Sequence, residues 1–346
     1  MEKTRLISID IAKAICIILV VMGHFIPDDS PNWYVVILDV IYTFHMPLFL
    51  FASGYVYWAT RKPVKYRNFV WNKIRCLMIP CYSASIIIII IKLLTEKLLS
   101  VQNPVSNSVF YEMFYSPAAG YFLWFIFALF LMFLMIPFFN TRKCLLILLV
   151  LSLVLFFIPI SFPKVFCLDK FKVYLLYFVL GCILLEWSNV RRFVDKIHFL
   201  IAFCIFFGTY MLKLHTDIFV IKKVAEFCVP FTGIVFILTL SKYIELKTVL
   251  VKKILLSVSL CSYTIYLFHT TFEGFTKAII LKLLPLVSTN INTQLIFIFI
   301  AFIVIMAGVV VPMILHKIII RYSRFFSFLF GAKFVGAKIN KGMEWK

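Results

Sequence analysis

Several ionisable side chains interrupt long apolar stretches of the sequence. Asp10, Lys13 and His24 lie in the first stretch, His45 in the second and His269 in a late one. Burying such a group in hydrocarbon costs several kcal/mol, so it usually has a partner or a task. Imidazole titrates near neutral pH and is therefore the natural group to take a proton from a reacting hydroxyl.

Spacing in the first stretch relates these groups to one another. Asp10 and Lys13 are three residues apart, so on a helix they are neighbours and can pair. Lys13 and His24 are eleven apart, which at ~100° per residue returns to the same face about 16 Å further along the axis. One face thus carries a cation near one end and an imidazole near the other. Two plainer interpretations stay open: a purely structural Asp10–Lys13 pair, and histidines that only bridge helices.

Composition indicates what must position these residues. Hydrophobic residues make up 63% of the 346-residue chain and charged residues 14%, against ~45–50% and ~25% in soluble domains. This excludes a water-soluble protein, a disordered chain and a secreted disulfide scaffold. The nine cysteines form no CxxC pair or Cys/His cluster, so we predict no metal site. The expected class is an all-α, polytopic integral membrane protein.

Apolar runs of ~20 residues indicate membrane-spanning helices. Ten are predicted, at residues 7–27, 34–58, 76–93, 120–139, 144–160, 173–187, 199–214, 224–241, 254–272 and 293–319. We expect a break in the second at residues 53–55 and an interruption of the eighth at Pro230. Loops on the N-terminal side hold more than twice as many basic residues as the opposite loops, which predicts that both termini are cytoplasmic. The net charge of +20 therefore reflects topology, and no nucleic-acid partner is expected.

Two regions are predicted from this pattern. Residues 1–320 form the transmembrane domain, and residues 321–346 form a basic cytoplasmic tail. The tail is amphipathic, so we expect it to lie on the anionic inner leaflet. We predict that the protein is located in the cell membrane and crosses it many times.

Five segments together resemble the membrane-bound acyltransferase family 3, and most closely its branch that includes fucose 4-O-acetylase. They occur in family order over nearly the whole chain. The matching segments are RLISIDIAK at 5–13 with VVMGH at 20–24, FHMPLF at 44–49 with SGY at 53–55, KIR at 73–75 with Pro80, LWF at 123–125, and SYTIYLFH at 262–269.

The resemblance implies a ten-helix enzyme that takes an acyl group, usually acetyl, from cytoplasmic acyl-CoA. It implies transfer to a hydroxyl of a carbohydrate or lipid-linked glycan, with acetyl-CoA as cosubstrate and no metal. Lys13 and His24 carry the family's first-span motif, and Arg75 matches its basic entry to span three. The family more often has Arg where this chain has Lys13, which removes a bidentate grip on phosphate or carboxylate.

Acyl transfer needs a base, an oxyanion stabiliser and cations for the CoA phosphates. We predict His24 as the base, with His45 acting as second base, proton relay or oxyanion donor. Three roles stay open for Lys13: ordering the surroundings of His24, holding the pantetheine end of CoA, or compensating the charge of Asp10. Asp39 is a candidate to orient His45. Both direct transfer and an acetyl-histidine intermediate fit the sequence. The predicted CoA-binding residues are Arg75, Lys73 and Arg67; the predicted substrate or structural supports are Asp10, Asp39, Ser53, Tyr55, Trp124, Tyr266 and His269.

The main alternative is a transporter or flippase of a lipid-linked glycan, since that class also has ten to twelve spans with charges near the membrane centre. Its repeats should show as paired broken helices, whereas the ionisable residues here crowd into spans one to three and nine. A structural or assembly subunit would leave them unexplained. Binding or slow hydrolysis of acyl-CoA distinguishes the enzyme from both.

Overall fold

Helices are the regular elements of the computed structural model, which describes residues 6–28, 30–95, 108–283 and 293–336, and within these ranges there is no β-strand. The first group is α1 (Ile7–His24), α2 (Asn32–Thr60), α3 (Tyr66–Lys73), α4 (Ile79–Thr95), α5 (Val109–Glu112), α6 (Trp124–Met135) and α7 (Arg142–Phe157). The second group is α8 (Leu168–Glu186), α9 (Ser188–Lys196), α10 (Phe199–His215), α11 (Phe219–Lys247), α12 (Val249–Leu283), α13 (Thr293–Ile318) and α14 (Arg324–Leu329).

Seven helical segments in the described residues are long and apolar enough to cross a membrane. An eighth is added if Val165–Glu186 and Ser188–Lys196, bent by 95° at their junction, count as one span. Two further predicted spans coincide with α7 and α10, of 16 and 17 residues, which are shorter than the ~20 residues that a full crossing needs. The all-α polytopic class is confirmed, while ten spans and cytoplasmic termini stay predictions.

Three span descriptions differ from the sequence-based expectation. The expected break at residues 53–55 is wrong, because α2 runs unbroken to Thr60. Pro230 does not interrupt its span either, since α11 continues through it; a transmembrane helix tolerates the lost hydrogen bond when neighbouring groups compensate. The ninth span is longer than 254–272, because α12 has 35 residues.

Gly54 allows α2 and α8 to pack closely and does not break α2. A Cβ on Gly54 would lie 2.0 Å from the carbonyl oxygen of Phe178 on α8, and one on Gly181 would lie 2.0 Å from that of Phe51. Small residues let helix backbones approach this closely within a membrane. At the far end of the same pair, the Glu186 carboxylate accepts a hydrogen bond from the Trp58 indole at 2.8 Å. The two helices therefore run parallel.

Gly54→Ala should be strongly destabilising, because no side-chain movement can clear a carbonyl oxygen and the two helices must separate. We expect a loss of at least about 3 kcal/mol, seen as a lower melting temperature in detergent. Gly208→Ala is the matched control, since a Cβ there meets nothing within 4 Å and helical Gly→Ala is neutral or stabilising. Equal melting temperatures for the two variants would contradict this packing.

The described part of the predicted tail packs against the protein. Phe330 is buried, and Gly331, with φ +63°, would place a Cβ 3.0 Å from the Cys76 carbonyl oxygen. Cys76 belongs to a π-helical turn, Ile74–Met78, that joins α3 to α4. Residues 320–331 therefore cover the start of the third span, and residues 337–346 lie outside the described part.

Candidate active site

Two histidines from distant parts of the chain meet at one end of the helix bundle. His24 ends α1 and its side chain is exposed, whereas His269 on α12 is completely buried. Their ring centroids are 4.9 Å apart. The ring of Phe122 lies against both, at 5.9 Å from His24 and 5.1 Å from His269. The exposed imidazole of His24 thus contacts the buried imidazole of His269.

Backbone contacts define which nitrogen of each buried imidazole is free to accept a proton. The Nδ1 atom of His269 lies 2.9 Å from the carbonyl oxygen of Tyr266, and that of His45 lies 2.8 Å from the carbonyl oxygen of Ile41. Because a carbonyl only accepts, Nδ1–H is the donor and the lone pair of the neutral ring is on Nε2. The Nε2 atom of His269 is buried with no hydrogen-bond partner among the described residues.

Glu273 is a site residue that the sequence analysis missed. It lies one turn beyond His269 on α12 and is 6% exposed, and its Oε1 atom is buried without a hydrogen-bond partner in the described structure. A Cβ on Gly308 of α13 would lie 2.8 Å from the Glu273 Cγ atom. The i, i+4 spacing from His269 was the available signal, but Glu273 fell in a segment interpreted as loop.

His45 lies beside the imidazole pair through Tyr42. The Tyr42 hydroxyl donates a hydrogen bond to the Gly23 carbonyl, next to His24, and its ring centroid lies 5.3 Å from that of His45. Since the His45 Nδ1–H is already bonded to backbone, the neutral ring can accept but not donate. This leaves the roles of second base and proton relay for His45.

Asp39 does not orient His45, so that predicted pairing is wrong. The Asp39 carboxylate accepts a hydrogen bond from the Tyr210 hydroxyl at 2.8 Å and lies 3.6 Å from the Lys213 Nζ atom. Six residues correspond to ~240° around a helix, which points Asp39 toward α10 and away from the histidine. The Ile41 carbonyl orients His45 instead.

One face of α12 carries polar groups from the third span to the imidazole pair. The Tyr263 hydroxyl donates to the Leu77 carbonyl of the π-helical turn at 2.9 Å, and the Tyr266 hydroxyl donates to the Phe122 carbonyl. His269 and Glu273 continue the same face. Ten residues of helix span about 15 Å, so this polar stripe, Tyr263–Tyr266–His269–Glu273, connects the basic entry of span three with His24.

The predicted CoA-binding residues do not share one face. The Lys73 Nζ atom lies 3.5 Å from the ring centroid of Phe133, a cation–π contact with α6. Arg75 is exposed, with its guanidinium 5.5 Å from the Phe328 ring centroid. Positions two apart on a helix point ~200° apart, which accounts for the separation. Arg67 is exposed on α3.

Asp10 and Lys13 pair at the other end of α1. The Lys13 Nζ atom is 3.7 Å from the Asp10 Oδ1 atom, which also lies 3.5 Å from the Ser259 hydroxyl of α12. Eleven residues separate Lys13 from His24, about 16 Å along the axis. Lys13 therefore serves a different part of the molecule than the imidazole pair.

The remaining predicted site residues lie apart from the imidazoles. The Ser53 hydroxyl donates to its own helix, to the Phe49 carbonyl at 2.8 Å. Tyr55 lines a cavity with Arg191, and the Trp124 ring packs on Tyr174 at 4.9 Å. Nothing in these contacts brings the three residues to His24, and their functional roles stay predictions.

The fold and site define an integral membrane protein that places an exposed imidazole against buried acid–base groups. The family described as "Acyltransferase domain" (acyltransferase family 3) matches residues 6–317, so the chain belongs to that family and is a membrane acyltransferase. No curated protein and no solved structure matches the chain. The resemblance to the fucose 4-O-acetylase branch stays a prediction.

Proposed function

We propose that this acyltransferase is an O-acetyltransferase that moves acetyl from cytoplasmic acetyl-CoA to a hydroxyl of a cell-envelope carbohydrate, in the cell membrane. The supporting observation is the polar stripe of α12, which joins the basic start of span three to the His24–His269 pair. A donor bound by its phosphates at one end can thereby present its thioester near the other.

The donor end is assigned to Arg75, with Arg67 about two turns earlier in the chain, on α3. An exposed guanidinium binds phosphate oxygens in a bidentate manner, and CoA carries its phosphates far from the thioester. Lys73 packs on the ring of Phe133, so it contributes positive electrostatic potential and does not bind a phosphate directly. Lys13, about 16 Å from His24 along α1, suits the amide carbonyl groups of the pantetheine arm.

The chemical step is assigned to His24. As the acceptor oxygen attacks the thioester carbonyl, His24 takes the hydroxyl proton; the C–S bond then breaks, and the same imidazole returns the proton to the CoA thiolate. His269 and Glu273 stabilise the imidazolium that forms between these events. The acetyl group passes directly to the acceptor, without a covalent enzyme intermediate.

Arg75→Gln should raise the KM for acetyl-CoA about tenfold, since a charge-assisted hydrogen bond contributes ~1.5–3 kcal/mol, while the KM for the acceptor stays unchanged. Steady-state rates of the purified enzyme, with each substrate varied in turn, measure this. Arg192→Gln is the matched control, because Arg192 is exposed on α9 and, within the described part of the chain, its hydrogen bond is local, to Asn189. Equal losses for both substrates would contradict the phosphate role.

Acetyl-CoA itself tests the proposal against a flippase. The purified protein should bind acetyl-CoA and hydrolyse it slowly without acceptor, whereas a flippase or assembly subunit should do neither. Cells with and without the gene should differ in envelope glycans by the mass of whole acetyl groups. A protein that neither binds nor hydrolyses acetyl-CoA would contradict the proposed activity.

A further inference from the structure

A cavity of about 500 Å³ lies beside the start of α8. Because α8 runs parallel to α2, which begins shortly after His24, the cavity is at the end of the bundle at which α1 ends. Its size falls within the usual range of small-ligand sites, ~300–1,000 Å³. It lies between the end of α7 and the start of α8. The side chains that matter here are Phe162, Lys164, Asp169, Lys170, Lys172 and Tyr174.

The cavity is basic although it lies on the predicted outer side of the membrane, where basic residues are disfavoured. Three lysines lie within nine residues, against the single carboxylate of Asp169, although topology favours lysine in cytoplasmic loops. The Lys172 Nζ atom has a structural task, since it donates to the carbonyl oxygens of Ile158 and Ile160 at 2.5 and 2.8 Å. Lys164 is exposed and Lys170 partly exposed. The Lys170 Nζ atom also lies 3.9 Å from the Asp169 Oδ2 atom, so Asp169 offsets part of its charge, and the three lysines with this one carboxylate keep the cavity positive.

A strained backbone holds the two lysines in place. Phe166 and Cys167 both have positive φ, at 52° and 56°, a conformation that costs about 1–3 kcal/mol for a residue with a side chain. The Phe166 N–H stabilises this turn by donating a hydrogen bond to the Tyr115 carbonyl oxygen at 2.7 Å. The turn lies between Lys164 and Lys170 and sets how both approach the cavity.

Aromatic rings complete the lining. Tyr174 packs on Trp124 at 4.9 Å, and the Lys170 Nζ atom lies 5.8 Å from the ring centroids of both Tyr121 and Trp124. A sugar ring presents a face of C–H groups that packs on the electron-rich face of an aromatic ring. Rings beside cations therefore suit a carbohydrate that carries negative charge better than they suit a bare anion.

One short chain segment lies between the cavity and the imidazole pair. Tyr121, beside Lys170, is followed directly by Phe122, whose ring contacts both His24 and His269. A glycan seated against Lys170 would therefore extend toward the exposed imidazole.

We infer that the cavity bounded by Phe162, Lys164, Lys170 and Tyr174 binds a carboxylate-bearing sugar of the acceptor, so that the acetylated carbohydrate is an acidic, uronate-containing glycan. This inference rests on the proposed acetyltransferase activity and names the class of its acceptor. Lys164 and Lys170 bind the carboxylate, and the rings bind the sugar face.

The test uses trigalacturonic acid and its trimethyl ester, which have the same rings but differ in charge. The full-length protein is reconstituted in phosphatidylcholine nanodiscs, and binding is measured by calorimetry. The acid should bind at least about tenfold more tightly than the ester. The Lys164→Gln/Lys170→Gln variant should lose that preference, while Lys222→Gln/Lys223→Gln, which removes equal charge elsewhere on the predicted outer side, should keep it.

Each outcome separates the inference from the proposed function. Equal binding of acid and ester, or a preference that survives the cavity variant, overturns the glycan site. Loss of the preference in nanodiscs containing phosphatidylglycerol would assign the cavity to a lipid headgroup and also overturn it. Acetyl-CoA hydrolysis, measured on the same samples, should be equal in wild type and the cavity variant. If wild type does not hydrolyse acetyl-CoA, the proposed acetyltransferase activity is rejected, whereas the preference for the acidic sugar is judged from the binding data alone.

Discussion

His24→Ala is expected to reduce acetyl transfer by about 10²–10⁴-fold, the usual contribution of a positioned general base. The imidazole at the end of α1 is the exposed member of the pair, with the buried His269 behind it, so His269 cannot take its place at the acceptor. Product formation by purified enzyme, compared at equal protein concentration, measures the loss. Acetyl-CoA affinity should be nearly unchanged, because the phosphates bind at the other end of the molecule.

His215→Ala is the matched control for this variant. His215 ends α10 and is exposed, as His24 is at the end of α1, so both substitutions remove an exposed imidazole from a helix terminus. Its activity and melting temperature should equal those of wild type. Normal acetyl transfer by His24→Ala would refute the assigned base, and a large drop in melting temperature for that variant alone would indicate a structural role.

The fold was predictable because its main signal is local. Apolar runs of ~20 residues reveal spans without knowledge of their neighbours, and each predicted span coincides with a helix. Helix ends were less predictable, as the extension of α12 to Leu283 shows, since polar residues continue a helix beyond the hydrocarbon. Gly54 was interpreted as a break because its close partner, Phe178, is remote in sequence.

The site was predictable one residue at a time but not as an assembly. His24 and His269 stand out because ionisable groups are rare in spans, yet their contact depends on how α1 packs on α12. Glu273 lacked that signal, because it lies where hydropathy suggests a span has ended. The separation of Lys73 from Arg75, in contrast, follows from helix geometry alone.

Glu273→Gln should lower kcat about 10²-fold, comparable to the loss of one electrostatic stabiliser in an active site, with acetyl-CoA affinity unchanged. Glutamine keeps the shape and the polar atoms of the side chain but cannot release a proton, so it cannot become the negative charge that stabilises an imidazolium nearby. Single-turnover rates and acetyl-CoA titration measure the two quantities separately. Glu226→Gln is the control, since Glu226 pairs with Lys223 on α11; similar losses in both variants would contradict the role.

Gly308 offers a way to move the Glu273 carboxyl without replacing it. A Cβ there would lie 2.8 Å from both the Glu273 Cγ atom and the Val21 Cγ1 atom, so Gly308→Ala must push Glu273 away from its place beside α1, one turn before His24. A displacement of about 1 Å can cost ~10²-fold in rate. Gly274→Ala, next to Glu273 but with nothing within 4 Å of its Cβ, should leave turnover intact. If Gly308→Ala is as active as Gly274→Ala, the position of the carboxyl does not matter, which would contradict a role for Glu273 beside the imidazoles.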